Sequence, residues 1–353
     1  MAEFHGLETK DLRLIGGCVV LAAAAGALHY AHAGEVASFI VAGLALAVLA
    51  SLVGHSVEAL GDQLGAGALG VVQSALGNLP ELFVTLFALH AGLYDVVRAA
   101  IVGSILANVL LVLGLAFFVG GIKHGTQRFA NESAQRISLM LVLSVAALLV
   151  PSLTARLHTP AAGHERTLSV IVAIVLLALF AASLPAEMRK QAIDSGEKDE
   201  GRWSLPLAIG MLSAAGVGAA FVSDWFVAAL APAMKSLGIS QAFAGLVIVA
   251  IAGNAVENVV GIQLAARNKA DAALSVTLQS PLQIALVLAP IAVLAAPAVG
   301  ATFTLVLSPL LIAVLAISVI VTIVVVLDGE STWFEGVTLV GLYAVIATAF
   351  WWG

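Results

Sequence analysis

The stretch that decides the fold is GNLPELFVTLFALHAGLYDVV, which spans residues 77–97. It places an amide, a proline and a carboxylate, at Asn78, Pro80 and Glu81, inside a run of residues that otherwise suits a lipid bilayer. A carboxylate at the centre of a bilayer costs at least ~2.5 kcal/mol, so such a residue is a candidate functional group by default. A second stretch, GNAVENVVGIQLAARNKADAA at residues 253–273, likewise places an amide and a carboxylate, at Asn254 and Glu257, in an apolar run.

The composition around these stretches excludes a soluble domain. Of the 353 residues, 61% are hydrophobic and only 10% are charged, whereas soluble domains carry roughly 25% charged residues. The single cysteine, Cys18, excludes an internal disulfide and a metal site built from cysteines. The sequence has no cluster of basic and aromatic residues of the kind that nucleic-acid binding requires. We therefore expect an all-α polytopic membrane protein that has lipid, and no nucleic acid, as a partner.

Apolar runs broken by charged residues, Gly and Pro predict about eleven transmembrane helices, because a helix needs about 20 apolar residues to cross a bilayer. The clearly hydrophilic connection RKQAIDSGEKDEGRW, at residues 189–203, is interpreted as a linker that is too short to hold a core. The predicted spans are 12–31, 36–60, 67–92, 95–120, 132–155, 166–189, 204–230, 239–266, 271–297, 301–327 and 332–352.

Lys and Arg residues are distributed unequally between the two ends of the predicted helices. If the N-terminus is cytoplasmic, eleven of the 15 lie in cytoplasmic segments and four lie outside, which is the bias that membrane proteins show. An odd number of spans then places the C-terminus outside. The compact N-terminus favours a prokaryotic plasma membrane as the location. The four outside residues are Arg98, Arg156, Arg166 and Lys235.

The two polar stretches superpose when the sequence is shifted by 176 residues. This offset pairs Asn78 with Asn254, and it pairs Glu81 with Glu257. Because each half contains five predicted spans, an odd number, the second half enters the membrane from the opposite side. Transporters with such inverted repeats bind their substrate near the midplane, where broken helices of the two halves meet. The predicted domains are an extra N-terminal helix (1–34), a first five-helix repeat (35–190), a cytoplasmic linker (191–203) and a second, inverted five-helix repeat (204–353).

The spacing within each motif favours a cation site. The Asn and the Glu are three residues apart, so they share one helix face. A glycine precedes each Asn, and Pro80 removes a backbone donor and frees the carbonyl of Leu76, so both helices are weakened there. Freed carbonyls, amide oxygens and carboxylates are hard oxygen ligands that suit Ca²⁺. Two facing half-sites offer two negative charges, enough to neutralise one divalent cation through Glu81 and Glu257.

The same carboxylates can bind protons in place of the cation. Desolvation raises the pKa of a buried carboxyl group when no cation is present, and a like charge across the site raises it further. If the empty site cannot cross the membrane with both glutamates charged, each passage carries a cation or protons. The sequence therefore predicts an antiporter, with a cation as its transported substrate, H⁺ as the counter-ion and no permanently bound cofactor.

Several polar residues could have a structural role in place of a role in the cation site. A membrane glutamate can pair with a lysine, but the predicted spans that hold Glu81 and Glu257, 67–92 and 239–266, contain no Lys or Arg. Asp95 and Asp271 begin predicted spans, where helix capping or solvation at the membrane interface is the expected role. Ser104 and Ser280 could bond back to their own helices, although their recurrence in both halves favours the site. Glu58 is either a solvated helix end or part of a cytoplasmic cation vestibule.

At these residues the chain resembles the calcium/proton exchanger family, within the larger calcium/cation antiporter superfamily. Each motif combines a Gly-Asn helix break with a downstream Gly-Ser-x-x-x-Asn or Ser-x-x-Gln sequence, and the resemblance covers residues 35–353. It rests on residues 77–121, 240–254, 253–290 and 324–350. The resemblance implies that Glu81 and Glu257 bind Ca²⁺ and protons, that Glu58 serves the cytoplasmic entry, and that the site is lined by Asn78, Asn254, Ser104, Asn108, Ser280 and Gln283.

The chain departs from that family pattern at four places. Asn258 stands where the second motif usually has a histidine, so proton coupling would rest on the two glutamates alone. Gln73 stands where the family usually has Asn, and Pro80 is also unusual. In the second half, QSPLQ places Pro281 directly after Ser280.

Rival functions remain open at this point. A sodium-coupled calcium exchanger, or another divalent or monovalent cation–proton antiporter, is the nearest rival, although a sodium site would need oxygen ligands beyond those that the repeat supplies. An enzyme is not expected, because Asn-x-x-Glu lacks a nucleophile or cofactor partner. Channels usually build their pores from oligomer symmetry with charged rings. No P-loop is present, which argues against an ATP-driven pump. The oligomeric state is not indicated.

Overall fold

A computed structural model describes residues 7–64, 76–194 and 203–352, and these residues are mainly helical. Two short strands, β1 (Gln127–Arg128) and β2 (Glu330–Ser331), pair antiparallel. The helices are α1 (Thr9–Tyr30), α2 (Glu35–Leu64), α3 (Leu79–His90), α4 (Tyr94–His124), α5 (Asn131–Arg156), α6 (Glu165–Asp194), α7 (Leu205–Leu237), α8 (Gln241–Gly253), α9 (Ala255–Ala266), α10 (Ala270–Val299), α11 (Pro309–Val326) and α12 (Trp333–Trp351).

The predicted class, an all-α polytopic membrane protein, is confirmed. Within the described ranges, nine helices are long and apolar enough to cross a membrane, and α3 and α8 are shorter apolar helices. The predicted count of eleven spans is not confirmed. One reason is that the predicted span 239–266 consists of two helices, α8 and α9, which are separated by a turn at Asn254.

The first motif shows the same kind of break as the second. The chain turns at Gly77 and Asn78, and α3 begins at Leu79. Gly and Asn both have low helix propensity, and proline is tolerated only in the first turn of a helix, which is where Pro80 lies. The helix breaks predicted at the two Gly-Asn motifs are therefore confirmed.

The predicted span 301–327 begins too early. Residues 301–308 are extended, and α11 begins at Pro309. The Ser308 side chain caps the first turn by accepting a hydrogen bond from the Leu311 N–H, and proline favours the first helical position. Alternate residues of the extended segment are buried, from Ala301 to Leu307. This alternation of buried and exposed residues is typical of a strand-like segment, whereas the high hydropathy had suggested a transmembrane helix.

The helices of the two halves correspond at the offset that the motifs suggest. Adding 176 to the bounds of α3, 79 and 90, gives the bounds of α9, 255 and 266. The first residues of α4 and α10, 94 and 270, are related in the same way. Both α4 and α10 contain a π-helical stretch, Ala107–Val112 and Ile284–Leu288 respectively. The duplication therefore extends from the motifs to the helix bounds, while the predicted domain boundaries stay predictions.

The chain forms two compact units. The first comprises Met1–Phe87, Leu179–Gly238 and Ala252–Val256. Its long helices α2 and α7 pack side by side, with the rings of Phe39 and Phe226 stacked at a centroid distance of 4.9 Å. The core of this unit therefore lies between α1, α2 and α7.

The second unit comprises Ala88–Ala178, Ile239–Ile251 and Glu257–Gly353. Here α4 crosses α8 with backbones in contact, because a Cβ on Gly103 would meet the backbone of Leu246. Small residues at crossings let membrane helices approach this closely. A second such crossing brings Gly114 of α4 against α12. These contacts make α4 the most enclosed of the candidate spans, with 72% of its most apolar window buried.

Candidate cation site

Glu81 lies in the first turn of α3, directly after the first helix break. Its residue is only 2% exposed, although it carries a carboxylate in an apolar helix. The Leu82 N–H donates to the Asn78 carbonyl at 2.9 Å, so the broken segment leads directly into α3. A helix N-terminus favours a negative charge in this position, and the helix break therefore provides a place in which a buried carboxylate is tolerated.

The side chain of Glu81 contacts the second motif, and both partners belong to the first unit. A Cβ on Gly253 would lie 3.3 Å from the Glu81 Cγ and 3.5 Å from its Cδ. Gly253 has no side chain, so its backbone lies directly against the side chain of Glu81. Asn254, the next residue, is fully buried at the turn between α8 and α9. The carboxylate of one Gly-Asn-x-x-Glu motif and the helix break of the other therefore meet in the fold.

The remaining predicted residues of the first half lie on α4, in the second unit. Ser104 and Asn108 are both fully buried. The Asn108 amide donates from Nδ2 to the Ser104 carbonyl at 2.9 Å, and Asn108 lies within the π-helical stretch. Such π-bulges displace a helical backbone by one residue and are frequent at functional sites. The structure therefore brings these two predicted residues together in adjacent turns of one helix.

Their counterparts lie on α10 of the same unit. Ser280 is 4% exposed, and Gln283 is half-buried directly before the π-helical stretch of α10. Each half therefore places a hydroxyl group one turn before an amide group at a π-bulge. Sequence analysis predicted these residues but did not predict the bulges.

The site roles of all the predicted residues stay predictions, including those of two residues that the contacts above do not involve. Glu257 lies on α9, but its side chain is outside the described side chains, so its approach to Glu81 stays a prediction. The side chain of Asn258 lies outside them as well, and Gln73 lies outside the described residues. Glu58 is exposed on α2, and its role in a cytoplasmic vestibule also stays a prediction.

The N-cap positions of α4 and α10 are Leu93 and Lys269, so neither Asp95 nor Asp271 is the capping residue of its helix. Asp95 forms an ion pair with Arg98 at 2.9 Å, three residues along α4. Asp271 accepts a hydrogen bond from the backbone N–H of Ala130. Neither carboxylate is buried. Both therefore make contacts at the exposed ends of their helices.

Thr322 on α11 was not among the residues predicted from the sequence. Its hydroxyl donates to the carbonyl of Val109 at 3.2 Å, and that carbonyl belongs to the π-helical stretch of α4 next to Asn108. Ser318, one turn earlier, is fully buried too. A hydroxyl pair spaced four residues apart in an otherwise apolar helix was the signal that could have identified them.

The available oxygen atoms indicate what this arrangement can bind. Among the described side chains, no group of three or more His, Cys, Asp or Glu residues could hold a metal ion. A cation in this region would therefore need amide, hydroxyl and backbone oxygens beside a carboxylate. Hard cations such as Ca²⁺ accept that ligand set, whereas Zn²⁺ prefers nitrogen and sulfur.

The fold and these buried polar residues define a helical integral membrane protein with duplicated halves. Comparison with known families identifies it further. The family model described as sodium/calcium exchanger protein matches residues 35–186 and 207–352, and the chain belongs to this family.

Individual relatives match over nearly the whole chain. A Ca(2+)/H(+) antiporter of Aphanothece halophytica is 35% identical, over 91% of this chain and 92% of the relative. The Ca(2+)/H(+) antiporter ChaA of Bacillus subtilis is 32% identical, over 96% of this chain and 97% of the relative. The crystal structure of the selenium-substituted Ca²⁺/H⁺ antiporter protein YfkE matches with a TM-score of 0.81 and 31% identity, over 95% of this chain and 98% of that one.

Proposed function

We propose that this protein is a secondary antiporter that exchanges Ca²⁺ for H⁺ across a membrane. The observation that carries the proposal is the placement of Glu81, a 2% exposed carboxylate at a helix start whose side chain lies against Gly253 of the second motif. Relatives that bear the name Ca(2+)/H(+) antiporter, at 32% and 35% identity, support the choice of ions.

The mechanism follows from the electrostatics of buried carboxylates. A desolvated carboxylate is unfavourable unless a cation or a proton neutralises it. Glu81 and Glu257 each bind Ca²⁺ when charged and a proton when the cation leaves. Alternating access then exposes the site to one side of the membrane at a time, and it moves only when it is neutralised. Ca²⁺ is a substrate in this scheme and no resident cofactor is needed, so the protein acts as a transporter and not as an enzyme.

Other polar residues complete the coordination in this proposal. Asn78 and Asn254 supply amide oxygens beside the two glutamates. The hydroxyl and amide groups on α4 and α10, from Ser104 to Gln283, line the path that the ion takes. Glu58 attracts the cation at the cytoplasmic entry.

The direction of transport depends on the orientation. The excess of Lys and Arg places the N-terminus in the cytoplasm and the C-terminus outside. In a prokaryotic plasma membrane with inward proton flow, the exchanger would export Ca²⁺ from the cytosol. The same gradient would not drive export if the orientation were reversed.

The test is Ca²⁺ uptake by proteoliposomes under an imposed pH gradient. The wild type should accumulate Ca²⁺ when the gradient is applied and stop when it is collapsed. Glu81→Gln and Glu257→Gln should each reduce uptake about 100-fold or more, because a neutral amide can neither exchange a proton nor neutralise the cation. Glu35→Gln is the matched control, because Glu35 is an exposed carboxylate at the start of α2.

A second experiment with a sodium gradient tests the alternative hypothesis of sodium coupling. If a Na⁺ gradient drives Ca²⁺ movement and a pH gradient does not, proton coupling is wrong and sodium coupling is right. If Glu81→Gln transports at the wild-type rate, the assignment of the site is wrong. Monodisperse elution of each variant distinguishes loss of transport from loss of folding.

A further inference from the structure

A cavity of about 540 Å³ lies in the second unit, apart from the residues assigned to cation exchange. Its wall is formed by the start of α4, the end of α5, the start of α6 and the extended segment before α11. Pockets that bind small molecules typically measure about 300–1,000 Å³. The cavity is therefore large enough for a small ligand.

Three arginines line this cavity: Arg98, Arg156 and Arg166. They are three of the four basic residues that the charge distribution leaves on the outer side of the membrane. Basic residues are scarce on that side, so their concentration in one cavity indicates a specific role. A set of surface charges that served only solubility would be spread over several loops.

The first of these arginines is held in place. Arg98 donates to the Thr304 carbonyl through Nε at 3.2 Å and to the Thr304 hydroxyl at 3.3 Å. It also forms the ion pair with Asp95, so its charge is compensated. Its guanidinium lies over the ring of Phe303 at 5.4 Å. Arg98 therefore links the extended segment to α4 and lines the cavity.

The other two arginines are available to a ligand. Within the described part of the chain, neither Arg156 nor Arg166 has a carboxylate within ion-pair distance. The remaining acid of the cavity, Glu165, accepts a hydrogen bond from the backbone N–H of Gly163 at 3.0 Å. The charged residues of the lining thus leave a positive surplus.

The starts of α6 and α11 contribute positive potential at the cavity, whereas the end of α5 contributes the opposite. The first turn of α6 contributes Thr167, and Ser308 lies directly before α11. Helix N-termini carry a partial positive charge and unpaired N–H groups, which favour anions. The hydroxyl groups of Thr167 and Ser308 are further donors. Cations are disfavoured here for the same reason.

We propose that this cavity binds an oxyanion, namely the phosphate group of a free solute or of an anionic lipid headgroup, through Arg156 and Arg166. Guanidinium groups match phosphate oxygens in charge and in geometry, so two of them can hold one phosphate. The ligand would bridge the end of α5 and the start of α6. The proposal does not rest on Ca²⁺/H⁺ exchange, since it concerns other residues.

The experiment uses the purified full-length protein in neutral detergent at constant ionic strength. Inorganic phosphate is titrated against chloride while thermal unfolding is followed, and phosphatidylglycerol is compared with phosphatidylcholine by native mass spectrometry. At ten times its dissociation constant, a specific ligand should raise the unfolding temperature by about 2 °C. Arg156→Gln combined with Arg166→Gln should weaken binding about 10-fold or more.

Two further variants keep the test decisive. Lys235→Gln removes an exposed basic residue that is predicted on the same side of the membrane but does not line the cavity, so it should bind like the wild type. Changing both arginines to lysine keeps the charge and loses the forked geometry, so binding should fall between the two extremes. Both arginines are exposed, so these variants should fold normally.

Each outcome decides the question. Binding of phosphate alone identifies a soluble oxyanion, retention of phosphatidylglycerol alone identifies a lipid headgroup, and both together identify the shared phosphate. The proposal is wrong if neither probe exceeds its control. It is also wrong if the double glutamine variant binds as well as the wild type, or if Lys235→Gln loses as much binding as that variant.

Discussion

The two π-bulged helices, α4 and α10, occupy equivalent places in the two halves but differ in how they are packed. On α4 the residue before Ser104 is Gly103, whose missing side chain lets α8 touch the backbone. At the equivalent place on α10, the residue before Ser280 is Gln279, a half-buried polar residue. The share of the most apolar window that is buried falls from 72% in α4 to 56% in α10.

The amide residues of the two helices differ in their distance from the serine and in side-chain length, and these two differences offset each other. Asn108 lies four residues after Ser104 and inside the π-helical stretch, whereas Gln283 lies three residues after Ser280 and just before the corresponding stretch. Gln has one methylene group more than Asn. The duplication has therefore kept a hydroxyl and an amide on each helix while the backbone packing diverged. Of the two helices, α4 is therefore the more enclosed and α10 the less enclosed.

The largest effect should come from the close crossing of α4. Gly103→Val should destabilise the purified protein by about 3 kcal/mol or more, because the new side chain would overlap the backbone of Leu246. Gln279→Val, the equivalent change on α10, should alter stability by less than ~1 kcal/mol. Thermal unfolding of both variants in detergent measures the difference. Equal destabilisation would remove the distinction between the two helices.

Effects of intermediate size are expected at the two amide residues, and the losses of transport should differ between them. Asn108→Ala should slow pH-driven Ca²⁺ uptake by roughly 30-fold, since it removes the amide of a fully buried residue. Gln283→Ala should slow uptake by roughly 3-fold, because Gln283 is half-buried and water can take the place of its amide. Uptake by proteoliposomes with matched protein content provides the measurement. A greater loss in Gln283→Ala would reverse the proposed order.

The smallest effects should come from the aspartates at the helix starts, which are equivalent at the same offset. Asp95→Asn should change stability by less than ~0.5 kcal/mol, as expected of an exposed ion pair. Asp271→Asn should cost about 1 kcal/mol, because it weakens the hydrogen bond from Ala130. Transport should be unchanged in both, and a rate that fell about 10-fold in either would place that aspartate in the ion path.

Part of this structure could be predicted from single residues and their spacing. The apolar composition is sufficient to predict a membrane protein, and the Gly-Asn pairs locate both helix breaks, because local propensity determines where a helix stops. The repeat was visible because Asn and Glu are rare in apolar spans. The extended segment 301–308 was predicted wrongly as helix, since hydropathy alone does not distinguish a buried strand-like segment from a span.

Other features depend on residues that are distant in the sequence. The π-bulges of α4 and α10 have no signal in the sequence, and the hydrogen bond from Thr322 to Val109 joins residues from opposite halves of the chain. The cavity gathers Arg98, Arg156 and Arg166 from three helices, whereas their sequence positions indicated only the outer side of the membrane.

The sequence by itself determined that the chain is a duplicated membrane protein with two acidic, broken helices, because composition, helix propensity and the spacing of rare polar residues act locally. Only the tertiary structure decided that Glu81 lies against Gly253 and that α4 is packed more tightly than α10. Those outcomes depend on how closely two backbones can approach, which is set by the packing of whole helices and not by any one segment.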